Sequence, residues 1–190
     1  MDAVGLVRQD HRRLEALLER CERTDHDDPE ERTVLLAQLN AALRHHVDEE
    51  EALLYPAFPQ PDNDLLARGA EQHHRITTLA QELTTIPPNV DTFQPKLRVL
   101  ADQIRTHLDT EDATLLTALE ALLDDPTLLD LGRRLENRRH VVAAQEALRT
   151  TTTNLLPRPQ RKAMVALAAT AALAAITLAA ISRRHRAKGR

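Results

Sequence analysis

The feature that most constrains this chain is a histidine and glutamate pattern that occurs twice. Residues Leu43 to Leu54 read LRHHVDEEEALL, and Ile104 to Leu115 read IRTHLDTEDATL, in register at an offset of 61. His46 maps onto His107 and Glu50 onto Glu111. Upstream of each stretch, Asp10-His11-Arg12-Arg13-Leu14 aligns with Gln72-His73-His74-Arg75-Ile76 at an offset of 62. A spacing of four stacks two side chains on one face of an α-helix, about 6 Å apart along its axis. Leu43, Val47, Leu53 and Leu54 surround the first pair at helical spacing, so that face points into a core. An ionised Glu on such a face costs free energy unless something positive compensates it.

The rest of the chain supplies the helices this pattern needs. Only 4 glycines and 2% aromatic residues leave little strand material, and Leu, Ala, Glu, Arg and Gln abound. The first helix is expected over about Asp2 to Arg23, with His11, Leu14, Leu17 and Leu18 inward. After a polar break, Pro29 suits the first turn of a second helix, which carries His46 and Glu50 and stops near Tyr55-Pro56. PAFPQPDND is a linker. A third helix carries His73 and ends before Pro87-Pro88. A fourth carries His107 and Glu111 and ends near Asp124-Asp125-Pro126. Amphipathic helices joined this way predict an all-α fold, an antiparallel up-down four-helix bundle over residues 1–125. A sparser fifth helix over 126–150 is expected to cross the bundle or pack only partly, and 151–162 to be a linker.

Charge divides the chain. Residues 151–190 hold 8 basic residues and no acid, so 17 basic and 29 acidic residues remain in the first 150, a balance near −12. An acidic body argues against nucleic acid as a partner. Ala163 to Ser182, AMVALAATAALAAITLAAIS, is 20 residues without a charge. As a helix it matches the thickness of a bilayer's hydrocarbon core. Ala168, Ala172, Ala175 and Ala179 form a small-residue stripe through which two copies could approach as a homodimer. The single cysteine, Cys21, excludes an internal disulfide and suits a reducing compartment. Met1 to Asp10 has no long apolar run, so no signal peptide is expected. The expected location is cytoplasmic, tethered to the cytoplasmic membrane by the C-terminal segment, with residues 183–190 a basic tail.

His11, His46, Glu50, His73, His107 and Glu111 are the candidate metal ligands. Imidazole with carboxylate, and no thiolate in the pattern, suits iron, manganese or zinc. Six ligands exceed what one tetrahedral zinc needs. Two carboxylates can instead bridge two ions, each capped by two histidines, with an oxo, hydroxo or water bridge and one position left open. His74 competes with His73, and the alignment of His11-xx-Leu14 with His73-xx-Ile76 favours His73. Tyr55 is expected to be ordinary core packing, or else a redox group or partner near the metals. Glu49, Glu51 and Asp109 are expected on a solvated acidic face or as partners of the ligands.

These motifs resemble the hemerythrin-like, or HHE cation-binding, family over roughly residues 5–125, and the run Glu50-Glu51-Ala52-Leu53-Leu54-Tyr55-Pro56 fits it too. The resemblance implies a four-helix bundle with a non-haem di-iron centre that binds oxygen, nitric oxide or peroxide, or handles iron. Oxygen carriers of this kind have HxxxH on the third helix, whereas here His73 is followed by Thr77, so one iron loses a nitrogen ligand. They also use HxxxxD on the fourth helix, which makes Asp112 a rival of Glu111; the internal repeat favours Glu111. Three functions follow: a binding or sensing protein for oxygen or nitric oxide, or an iron handler; a di-iron enzyme acting on peroxide or nitric oxide; or a membrane-tethered bundle with a vestigial site.

Overall fold

The computed structural model describes residues 1–24, 28–59 and 64–155, with side chains described as far as residue 145. All regular structure among the described residues is helical. Helix α1 spans Ala3–Arg23, α2 Pro29–Glu49, α3 Asp64–Leu83, α4 Phe93–Glu111, α5 Thr117–Leu122 and α6 Asp125–Leu155. Short polar residues start the first two. Asp2 Oδ1 accepts from the Gly5 amide at 2.7 Å, and Asp28 Oδ1 accepts from Glu31 N at 2.9 Å with Pro29 in the first turn.

Two of these helices do not stop where the α-helical spacing ends. Helix α2 continues through a π turn, Glu50–Leu54, and a 3₁₀ turn, Tyr55–Ala57. Helix α4 continues through a π turn, Asp112–Leu116, into α5. The π turns recur in both halves of the repeat and begin at or beside the candidate glutamates, where wider turns are often found at functional sites. A 3.6-residue apolar period carries no sign of them.

Residues 1–138 form one compact unit. Within it α1 packs on α2 and α4, and α3 packs on the same two. Direction follows from the two apolar clusters. One joins Leu18 and Cys21 at the end of α1 to Leu35 at the start of α2, Leu83 at the end of α3 and Phe93 at the start of α4. The other joins Val4 at the start of α1 to Leu54, Leu66 and Leu116. So α1 and α3 run one way and α2 and α4 the other, a helical bundle with its site between two apolar layers.

Arg32 closes one end. It is buried, donates to Pro88 O at 2.8 Å, Thr24 O at 3.2 Å and Gln94 Oε1 at 3.2 Å, and its guanidinium lies 5.6 Å from the Phe93 ring centroid. At the other end Leu128, Leu131 and Leu135 of α6 are buried in the second cluster. Gly132 is required there, since a Cβ would lie 2.9 Å from the Asp2 carbonyl carbon.

Residues 139–190 form a second unit, of which the described part continues α6 to Leu155. The helix thus runs five residues into the stretch expected to be linker. No helix among the described residues is long and apolar enough to cross a membrane. The expected apolar helix 163–182, its alanine stripe and the basic tail all lie outside the described residues.

Candidate metal centre

The six candidate ligands come together from five segments. His11 projects from α1, His46 from α2, Glu50 from the first position of its π turn, His73 from α3, and His107 and Glu111 from α4. None is more than 6% exposed. Glu50 Oε1 lies 3.1 Å from His46 Nδ1, and Glu50 Oε2 lies 3.1 Å from His73 Nε2. Glu111 Oε2 lies 3.4 Å from His11 Nε2, 3.3 Å from His107 Nε2 and 3.5 Å from His46 Nε2. The arrangement crosses the repeat: each glutamate meets the histidine of its own HxxxE and the lone histidine of the other half.

In two groups these atoms lie within 4.8 Å of one another: His46, Glu50, His73 and His107; and His11, His46, Glu50 and Glu111. Yet both carboxylate oxygens of Glu50 and of Glu111, together with His73 Nε2 and His11 Nε2, are buried without a hydrogen bond. Each such group left unsatisfied costs about 1–3 kcal/mol, and more where it is charged. Lone pairs that converge on one another rather than on protons fit a cation between them. Donor chemistry agrees: nitrogen and carboxylate oxygen suit a first-row transition metal.

The electrostatics prepare the same exchange. Burial pushes His46 down to about 3 and His107 down to about 4, so both imidazoles are neutral at physiological pH with a lone pair free. Burial, and then the neighbouring Glu111, hold the Glu50 carboxyl well above the usual range. Burial also acts to raise Glu111, but the close approach of His11, with His46 nearby, outweighs it and keeps that carboxyl low. For His11, burial lowers the pKa, but Glu111 and Asp112 together carry it above its ordinary value.

The rival ligands separate. His74 is exposed, whereas His73 is buried. Asp112 is 45% exposed, and its Oδ1 lies 3.2 Å from His11 Nδ1, on the outer side of the ring. Thr77, at the position of the missing third-helix ligand, donates its hydroxyl to the His73 carbonyl at 2.6 Å. Glu49 differs from expectation: it is buried, because it falls on the inner side of the last α2 turn.

A cavity of about 90 Å³ between α3 and α4 reaches His107 and Glu111. Tyr55, Arg68, Gly69, Gln72 and Thr110 are among its walls. Tyr55 is more than packing. Its ring stacks on His73 with centroids 5.7 Å apart and planes 8° apart, and its hydroxyl seats directly against Gly69, where any Cβ would clash. Burial, then Glu50, raises the phenol's pKa, so it stays protonated.

Contacts that the sequence left undecided or did not suggest lie on the outer edges of the rings. Glu51 Oε1 is 3.3 Å from His73 Nδ1, and Gln72 Oε1 is 3.3 Å from His107 Nδ1. A signal for two of them was present: an acid directly follows the candidate glutamate in both halves, as Glu50-Glu51 and Glu111-Asp112.

Comparisons with known proteins bear on this geometry. The chain is similar to a "DNA nickase" from Nostoc sp. (strain PCC 7120), 24% identical over 123 residues, which is 63% of this chain and 34% of that protein. It therefore spans about a third of that relative's length. Its fold is similar to the crystal structure of a Hemerythrin HHE cation binding domain-containing protein from Mycobacterium kansasii. There the TM-score is 0.70 and the identity 22%, covering 79% of this chain and 93% of the other. The family model of the Hemerythrin HHE cation binding domain matches residues 2–119, and the chain belongs to that family.

Proposed function

We propose that this chain is a non-haem di-iron protein that binds or senses a small ligand, oxygen or nitric oxide, or handles iron, within a four-helix bundle. The observation that carries the reading is the set of buried carboxylate oxygens and imidazole nitrogens that face one another without hydrogen bonds. Membership in a cation-binding family supports a metal, and the donor set supports iron. In this reading His11, His46, His73 and His107 would hold the iron together with the Glu50 and Glu111 carboxylates. Bound iron would supply redox capacity and an open position for a small molecule.

The chain's own residues supply the rest. The cavity beside His107 and Glu111 gives a route of the right size for a few atoms, about the space of a few waters. The protonated Tyr55 hydroxyl lines that cavity, so a ligand reaching it would meet a proton donor on one wall. This wall supports a second reading, an enzyme acting on peroxide. The nickase activity of the Nostoc protein is not carried over: the shared region is about a third of that protein, and the body here is acidic.

The test loads the purified chain with iron under nitrogen, then measures metal content and the absorption spectrum before and after oxygen, nitric oxide or peroxide. About two irons per chain and a ligand-dependent charge-transfer band are expected. Sustained oxygen release from peroxide selects the enzyme reading. One zinc, or no metal after reconstitution, overturns both.

A further inference from the structure

The histidines of the site have a second set of neighbours, ordered by the same repeat. Glu51 Oε1 lies within hydrogen-bond distance of His73 Nδ1, at 3.3 Å, and Asp112 Oδ1 stands 3.2 Å from His11 Nδ1, an ion-pair contact without hydrogen-bond alignment. Glu51 and Asp112 occupy equivalent positions, 61 apart, each one residue after a candidate glutamate. Each reaches across to the lone histidine of the other half. Arg8 steadies the second of them: its guanidinium lies 3.9 Å from Asp112 Oδ1 and 3.0 Å from Glu120 Oε1. A third neighbour, Gln72, stands 3.3 Å from His107 Nδ1.

We propose that Glu51 and Asp112 are positioning residues that fix the rings of His73 and His11 with Nε2 turned inward, with Gln72 doing the same for His107. This rests on the di-iron reading and assigns it an outer layer. The reason is geometric. An imidazole on a single bond to its Cβ can turn either nitrogen inward, and an acceptor on the outer edge selects the tautomer and angle that leave Nε2 a lone pair. The layer is also unequal. Gln72 is neutral where Glu51 and Asp112 are acids, so the two ions would sit in different fields.

Both carboxylates are close to half exposed, at 42% and 45%, so removing either opens no core cavity. Ferrous iron is the probe. Affinity is measured by competition with a chromophoric chelator for the wild type, Glu51→Ala, Asp112→Ala, Glu51→Gln and Asp112→Asn. Asp48→Ala and Asp109→Ala remove an exposed acid from the same helices and serve as controls. Each alanine variant should bind iron roughly 10–100-fold more weakly. Its metal-free melting temperature should match the wild type, and its absorption bands should shift. The amide variants should recover part of the affinity, because an amide oxygen still accepts. Gln72→Glu should change the bands without loss of metal. Iron-loaded alanine variants with wild-type affinity and spectrum overturn the proposal alone. Affinity that falls only in step with the metal-free melting temperature also overturns it, since the role is then structural. A wild type that takes up no iron overturns the di-iron reading itself, and this proposal with it.

Discussion

Glu50 takes one of its two histidine neighbours from the opposite half of the repeat: His73 Nε2 lies 3.1 Å from Glu50 Oε2, with His46 Nδ1 3.1 Å from the other oxygen. On the di-iron reading, a carboxylate placed between two imidazoles on different helices would serve both ions. Replacing Glu50 or Glu111 by Ala should remove most of the bound iron, an affinity loss of at least about 100-fold. Asp109→Ala is the matched control. Glu49 is unsuitable as one because it is buried. Retention of full iron content by either glutamate variant would end the bridging assignment.

The same carboxylate should weaken the metal-free fold. Burial raises the Glu50 pKa, and its oxygens lack hydrogen bonds, so the empty site carries the cost of an unsatisfied polar group. Glu50→Leu keeps the bulk and removes that cost. The metal-free variant should be more stable than the metal-free wild type by about 1–3 kcal/mol while losing iron. Denaturant melts of the two metal-free proteins decide it, and equal or lower stability for the variant would refute it.

Metal removal gives the complementary sign. Binding to the folded state alone stabilises by about 2.7 kcal/mol at a free-metal concentration of 100 times Kd. For a chain of this length that raises the melting temperature by about 5–10 °C. Scanning calorimetry with and without chelator measures the shift, and its absence means that the ligands are not these six.

The helices and the six inward residues were legible because period and repeat write them directly. His46 to Glu50 is one α-helical turn, and burial of that face follows from Leu43 and Val47. What was not legible depends on geometry at a finer grain. Ladder bonds that lengthen by one residue after Glu50 and Glu111 leave no residue-type signature. Asp112 read as a rival ligand because sequence cannot tell the inner edge of the His11 ring from the outer. Nothing in the sequence singles out Arg32 as buried, because only the fold brings the carbonyls of Thr24 and Pro88 to it. Tyr55 looked like packing because its stacking on His73 depends on the π turn that re-aims it.

Gly69 and Tyr55 form a size-matched pair in the cavity wall. Gly69→Ala would drive a methyl group into the Tyr55 hydroxyl, which the flexible ring can escape only by leaving His73. The expected cost is about 1–3 kcal/mol. Tyr55→Phe removes the clashing oxygen, so the double variant should recover most of that cost. Tyr55 is the only tyrosine and the chain has no Trp, so tyrosine emission reports its position alone. Additive costs in the double-mutant cycle, and unchanged emission, would contradict the pairing.

Cys21 gives an internal gauge of how far the metal holds the fold. It is 4% exposed in the apolar cluster of Leu18, Leu35 and Phe93, and burial pushes its thiol up to about 11. At pH 8 the thiolate fraction in the folded chain is on the order of 0.1%, so a disulfide reagent should react only through opening of the helices around it. If that opening is global, a metal present at 100 times Kd should suppress the open population about 100-fold. The labelling rate of the iron-loaded chain should therefore fall about 100-fold below that of the metal-free chain, with Glu111→Ala labelling at the metal-free rate under both conditions. A rate that does not respond to iron in the wild type would mean that the end of α1 opens locally, and that the metal stabilises only the layer around His11 and Glu111.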